Sequence, residues 1–215
     1  MDHIEIKKAV VRSQHCQRNW DLQKEIPQHD IDLLAYSVSN CPSKQNIAFY
    51  KAHFITNRDV IEEIHSKTAG FKNYETGEYE TNSQTLANLL IAFEAEDYMA
   101  RHIDDTVFRN DEMWAFDEGK MTDREKAVLE RDTFMAIGIA AGYVNLTASM
   151  LGYGTGCCAC FNEGEISNII GAKNPIKLLM GVGFKNPEVN RRIHHSTGFV
   201  FPTKTKQEIC VNHIK

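Results

Sequence analysis

The stretch "GYGTGCCACFN", Gly152–Asn162, places three cysteines within four positions, directly after a run of alternating glycines. Read as chemistry, the thiols of Cys157, Cys158 and Cys160 form a metal site or a redox centre. Read as backbone, the same residues are a bend of small side chains lying close to something flat. Zinc sites usually pair cysteines as C-x₂₋₄-C and repeat the pair further along the chain. Here Cys16, Cys41 and Cys210 each stand alone, which leaves only His194 and His195 to complete a ligand set. "GYGTG" is not a dinucleotide fingerprint either: the third glycine is misplaced, and a helical pattern precedes it where a strand is required. The spacing favours cysteines used as small apolar packing residues.

The surrounding composition narrows the function classes. The chain has 215 residues, enough to bury a sizeable core, with 42% hydrophobic and 25% charged side chains. Its 24 basic and 29 acidic residues leave a net charge of −5. This argues against nucleic-acid binding and a basic membrane-docking surface, so any anion site has to be built locally from a few cations. "MDHIEIKKAVV" lacks the apolar core of a signal peptide. Together with six cysteines, this predicts reduced thiols and a cytoplasmic protein. The longest apolar run, 133–152, is interrupted by Gly138, Gly142 and Asn145, and predicts a buried core helix rather than a membrane span.

Helical periodicity appears in 4–14, 29–40, 57–70 and 122–151; short apolar runs bounded by turn residues predict strands in 48–56, 86–96, 177–185 and 198–203. No linker or repeat divides the chain, so a single domain over 1–215 is expected. Strands and helices do not alternate as in a doubly wound sheet.

Three polar groups are unremarkable one at a time: "QHCQRNW" where the first helix ends, "NCPSKQN" between a helix and a strand, and Arg191–Arg192 beside two histidines. In their order, with the Gly152 stretch, they resemble the FMN-dependent nitroreductase family along nearly the whole chain. The family's R-R-S-x-R-x-F pattern and following V-P correspond to "QHCQRNWDLQKEIP", its P-S-x-x-N-x-Q-P-W to "PSKQNIAFY", and its glycine turn after a small-residue helix to "AAGYVNLTASMLGYGTGCCACF". Its last stretch, which leads to a basic pair, corresponds to "IIGAKNPIKLLMGVGFKNPEVNRR".

The resemblance implies an α+β fold, with a central, mostly antiparallel sheet flanked by helices, in an intertwined homodimer with a flavin at each interface. It implies FMN as cofactor, NAD(P)H as reductant and a small electron-poor acceptor, a nitroaromatic or a quinone, in a ping-pong exchange of two electrons. Gln14, His15, Cys16, Arg191 and Arg192 fall at phosphate-binding positions, where arginine forks suit a doubly charged anion. Arg18 falls beside the pyrimidine edge of the flavin, Asn82 at the same edge, and Pro42, Ser43 and Asn46 at further flavin contacts. Ala159 and Cys160 fall where the backbone approaches N5. No side chain is required as acid or base.

The chain departs from the family at Gln14 and His15, where basic residues are usual, at Cys16 in place of serine, and at Ala48, Phe49 and Tyr50 in place of Q-P-W. Arg12, one turn earlier, is placed to compensate. Residues 104–123, polar but carrying Phe108, Trp114 and Phe116, are expected as a lid or as a surface helix. The alternative from another class is a non-catalytic module that senses redox state or binds metal through Cys157, Cys158 and Cys160.

Overall fold

The first helix, α1 (His3–Ser13), starts where Asp2 and Glu5 close a reciprocal capping box. The computed structural model describes residues 2–96, 122–203 and 205–214. Within them follow α2 (Gln28–Ser39), β1 (Tyr50–Ile55), α3 (Arg58–Ser66), β2 (Leu89–Ala95), α4 (Asp123–Met150), β3 (Gly154–Cys158), α5 (Glu163–Ile170) and β4 (Ile176–Gly183). The strands make one sheet in the order β1-β2-β4-β3, with every neighbour antiparallel.

Alternation along β2 divides the core. Leu89, Ile91 and Phe93 face Leu34 and Val38 of α2 and Ile137, Ala140 and Val144 of α4. Leu90 and Ala92 face Ile61 and Ile64 of α3 and Ile166 of α5. The molecule is therefore helix layer, sheet, helix layer. A bulge between Phe93 and Glu94 ends the regular β2–β4 register. Beside it, buried Glu94 accepts hydrogen bonds from the backbone N–H groups of Lys173 and Asn174 at 3.0 and 2.8 Å and contacts His53 at 2.7 Å.

Three sequence expectations change. The 198–203 run makes only an isolated bridge, Ile193↔Val200; Pro202, at its end, has no N–H to extend a ladder. "GYGTGCC" is a strand and not a turn, because Gly154 and Gly156 pair in register with Gly183 and Gly181 of β4. Helix α4 is buried along one face only. Met135, Ile139, Tyr143, Leu146 and Met150, spaced three or four residues apart, form an exposed apolar stripe on the other. Among the described residues α4 is the one helix long and apolar enough to cross a membrane by length and composition. The proposed lid falls at residues 104–121, outside the described residues; Thr122 and Asp123 begin α4, capped reciprocally by Thr122 and Glu125.

The glycine pairs allow two segments to lie flat on the sheet. A Cβ at Gly156 would sit 2.6 Å from the Gln17 carbonyl oxygen and 2.9 Å from Gln84 Cβ, and one at Gly181 would run into the Gln84 carbonyl oxygen. Gly181→Ala should therefore destabilise the protein by about 1–3 kcal/mol, as overpacking of a closed backbone contact does. Gly164→Ala, whose Cβ would meet only an ordinary contact at 3.5 Å from Asn162 Oδ1, is the matched control in urea unfolding. Equal midpoints for the two variants would remove the close-approach explanation.

Candidate functional site

The segment Gln14–Trp20 leaves α1 and runs along the glycine-rich end of β3. Cys16 bridges Thr155 in parallel, Gln17 N–H donates to the Thr155 carbonyl at 2.7 Å, and Arg18 N–H donates to the Arg191 carbonyl at 2.9 Å. The Arg191 guanidinium returns a hydrogen bond to the Cys16 carbonyl at 3.1 Å. Trp20, buried, donates its indole N–H to the Ser83 carbonyl at 2.8 Å, which anchors the 3₁₀ turn Ser83–Thr85. His15, Cys16, Arg18 and Arg191 thus converge although they lie 173 or more residues apart across the two segments.

The electrostatics around them are one-sided. Partial burial, and then the cations Arg191, Lys185 and Lys206, hold the His15 imidazole below its ordinary value. Burial, and then Arg12, do the same to Lys185. Among the described residues both shifts come from burial and neighbouring cations. Arg12 is set in place by a 3.0 Å hydrogen bond to the Ser149 carbonyl at the end of α4. Lys206 donates to the Gln14 side-chain oxygen. In a chain of net charge −5 these cations form a local patch of positive charge. Lys185 and Lys206 were not singled out in the sequence; two lysines in polar stretches carry no motif. The Arg191–Arg192 pair divides: Arg192 points to Thr203 Oγ1 at 3.4 Å.

Arg18 is half-buried, and its Nε has no hydrogen-bond partner. Its guanidinium carbon lies 4.7 Å over the ring of Phe201. Asn82, buried, caps the Ser83–Thr85 turn through a 3.2 Å hydrogen bond from Gln84 N–H. Ala159 and Cys160 are exposed just beyond β3, and the Cys160 carbonyl accepts from Ala69 N–H at 2.8 Å.

Strand geometry separates the cysteines. Consecutive residues point to opposite faces, so Cys157 is exposed while Cys158 is 2% exposed in the α3–α5 core. Burial pushes the Cys158 thiol up to about 11, far from the thiolate that binds metal or reacts. Among the described residues no three histidine, cysteine or acidic side chains gather as a metal site.

Pro42, Ser43 and Asn46 lie elsewhere. Their segment carries positive φ at Asn46 (61°) and Phe49 (38°), a conformation that costs energy and persists where the surroundings impose it. Lys44 ties it to buried Asp132 of α4 at 2.5 Å, and Arg131 binds the same carboxylate at 2.8 Å. Burial acts in the opposite direction, but these two cations hold Asp132 below the usual carboxylate range. Asp132 and Ser149 are separated by about 25 Å along α4 at 1.5 Å per residue. Within one chain, therefore, the Pro42–Asn46 segment and the Gln14–Arg18 segment sit at opposite ends of the exposed stripe.

A family model described as the nitroreductase family matches residues 11–184. Among solved structures, a nitroreductase family protein from Streptococcus pneumoniae TIGR4 superposes with a TM-score of 0.63 at 14% identity, covering 88% of this chain and 93% of its own. A nitroreductase family protein from Clostridium novyi NT gives 0.59 at 16%, covering 87% of each chain. An FMN-dependent nitroreductase from Clostridium difficile R20291 gives 0.55 at 14%, covering 82% and 86%. No curated protein matches the sequence.

Behind Phe201 lies a group of histidines, His65, His194 and His195, whose basicity burial lowers. Buried His194 accepts at Nδ1 from the N–H groups of Ser196 and Thr197, at 3.2 and 3.3 Å, and its Nε2 meets Thr81 Oγ1 at 3.1 Å. Burial, then His194, Arg58 and His195, push His65 down to about 4 from an ordinary 6.5. Between those values the unfolded chain binds a proton that the folded chain does not. This contribution to stability is therefore complete above pH 6.5 and is lost as pH falls toward 4. Thermal melts from pH 7 to 4.5 should show a steeper loss for the wild type than for His65→Phe, and parallel curves would show that His65 titrates normally.

Proposed function

Because the chain belongs to the nitroreductase family, we propose that it is an FMN-dependent oxidoreductase that uses NAD(P)H to reduce a small electron-poor acceptor such as a nitroaromatic or a quinone. The observation that carries this reading is the convergence of His15, Lys185, Arg191 and Lys206, with Arg12 beside Lys185, in one patch where the cations depress the basicity of His15 and Lys185. Beside it lies a half-buried Arg18 with an unpaired Nε. That set suits an anionic phosphate at one end and a ring edge that gains negative charge at the other. The relative from Clostridium difficile is itself FMN-dependent. FMN bound there would supply a two-electron redox centre between NAD(P)H and the acceptor.

The chain's own residues bind and tune. Lys185, Arg191 and Arg12 grip the phosphate in place of the basic positions replaced by Gln14 and Cys16. Arg18 and Asn82 face the pyrimidine edge. Ala159 and Cys160 offer backbone close to N5, and Pro42, Ser43 and Asn46 contact the flavin from a second subunit.

That last assignment follows from the homodimer this reading includes. The α4 stripe, Gly138 and Gly142 on the same surface, and exposed Ile4, Val10 and Val11 of α1 form an apolar face suited to a second copy. An antiparallel pairing of two α4 helices about Gly142 sets the Pro42–Asn46 end of one protomer against the Gln14–Arg18 end of its partner. Residues 205–214, exposed and with Ile209, Val211 and Ile214 uncovered, suit an arm reaching across. A helix facing another helix also accounts for the apolarity of α4 without a membrane, in keeping with a cytoplasmic protein.

The absorption spectrum of the purified protein is the first test: a flavin spectrum that bleaches with NAD(P)H and returns with an acceptor supports the reading, and a colourless protein that takes up no FMN defeats it. Lys185→Ala with Arg191→Ala should weaken FMN by at least about tenfold, the loss of a charge-assisted contact. Riboflavin, which has no phosphate, should bind as before. Arg18→Ala should instead leave oxidised FMN bound and lower its potential, removing about 1.5–3 kcal/mol of stabilisation from the reduced state.

The interface gives a separate prediction. In an isolated chain Gly142→Ala stabilises α4 by about 1 kcal/mol, the helix propensity of alanine over glycine. At a close helix crossing the added methyl separates the subunits. Sedimentation should therefore show weaker self-association of the variant, and an unchanged dimer with a raised Tm would move the interface off Gly142.

A further inference from the structure

We propose that Phe201 is a positioning residue for the flavin chemistry: its ring holds the Arg18 guanidinium beside the cofactor without neutralising it. The proposal rests on the reading of this site as a flavin site and adds a residue to it from outside the matched family segment, which ends at residue 184.

A half-buried guanidinium usually acquires a carboxylate. Among the described residues Arg18 has no ion pair, and its Nε is unpaired. What it has is Phe201, 1% exposed, with the guanidinium carbon 4.7 Å from the ring centroid. The negative face of an aromatic ring attracts a cation through its quadrupole and carries no net charge. An aspartate in the same place would hold Arg18 more tightly, but it would cancel the field that a reduced flavin needs. A ring orients the charge and leaves it whole.

The ring is held firmly for this task. Phe201 N–H donates to the Arg192 carbonyl at 3.0 Å, within the loop whose Arg191 carbonyl receives Arg18 N–H. His194 stacks on Phe201 at 6.0 Å and 20°, while Phe199 and Phe71 meet it edge-on at 5.1 and 5.9 Å. His194 contributes no competing charge, because its Nδ1 is an acceptor of backbone N–H groups. The loop thus supplies Arg191 to the phosphate end and Phe201 to the ring-edge cation from one short stretch.

The test uses the FMN-loaded protein and its variants Phe201→Leu, Phe201→Met and Phe201→Tyr. Leucine and methionine keep an apolar side chain but remove the quadrupole; tyrosine keeps the ring face. Fluorescence titration should show oxidised FMN bound within about twofold of wild type in all three. In the leucine and methionine variants reduced FMN should bind about tenfold more weakly, which a redox titration reads as a fall of about 30 mV in a two-electron potential. Tyrosine should restore the wild-type value, and Arg18→Ala combined with Phe201→Leu should fall no further than Arg18→Ala alone. A wild-type potential in Phe201→Leu, or equal weakening of both flavin forms, overturns the proposal while leaving the flavin site intact. Failure of the wild-type chain to bind FMN at all overturns both. Should the leucine variant not fold, the methionine variant decides by the same outcomes.

Discussion

The structure depends on a contact that a single methyl group would abolish. On the α3–α5 face of the sheet, Gly156 and Gly181 stand opposite each other in register. Above them lie the backbone at Gln17 and the turn at Gln84, too close for any Cβ. This contact sets the height of both segments over the sheet. Arg18 follows one segment and Asn82 opens the other, so the geometry of the pyrimidine-edge candidates is set by what β3 and β4 leave out. Trp20 then locks the two segments together through the Ser83 carbonyl.

Charge is organised on the same principle of local arrangement against a global trend. The chain is net acidic, yet the turn after α1, the end of β4 and the loop at Arg191 bring cations close enough to lower the basicity of His15 and Lys185. Concentrating like charges costs stability, and an anion bound there offsets that cost. At the other end of the site the Arg18 guanidinium lies over an aromatic ring, which leaves its charge whole. Two kinds of cation environment therefore occur within one site, one suited to a permanent anion and one to a charge that comes and goes.

In the proposed dimer the site also extends beyond one chain. Asp132, buried in α4, anchors the Pro42–Asn46 segment through Lys44, and Ser149 near the other end of the helix anchors Arg12. The helix holds the two groups about 25 Å apart and presents an apolar stripe between them. A buried carboxylate in mid-helix is costly unless paired, and here its pairing fastens a loop with two positive-φ residues. The cost is tied to the segment that the proposed dimer needs in register.

Apolar periodicity carried the helices α1 to α4 and the strands β1, β2 and β4 from residues to structure; α3 buries the face its pattern specifies through Ile61 and Ile64, whereas α1 and α4 leave much of their apolar pattern exposed. The order of four weak motifs was likewise legible, and it identified the family that the match over residues 11–184 bears out. The helix α5 was missed because its eight residues carry only two turns of pattern. The strand β3 was read as a turn because glycine disfavours strands locally; pairing with β4 overrides that preference. The nearness of Arg18 to Phe201, the separation of Cys157 from Cys158 and the exposed face of α4 were decided by tertiary structure alone. Each depends on which side of an element meets a partner distant in sequence, and local propensity holds no information about that partner.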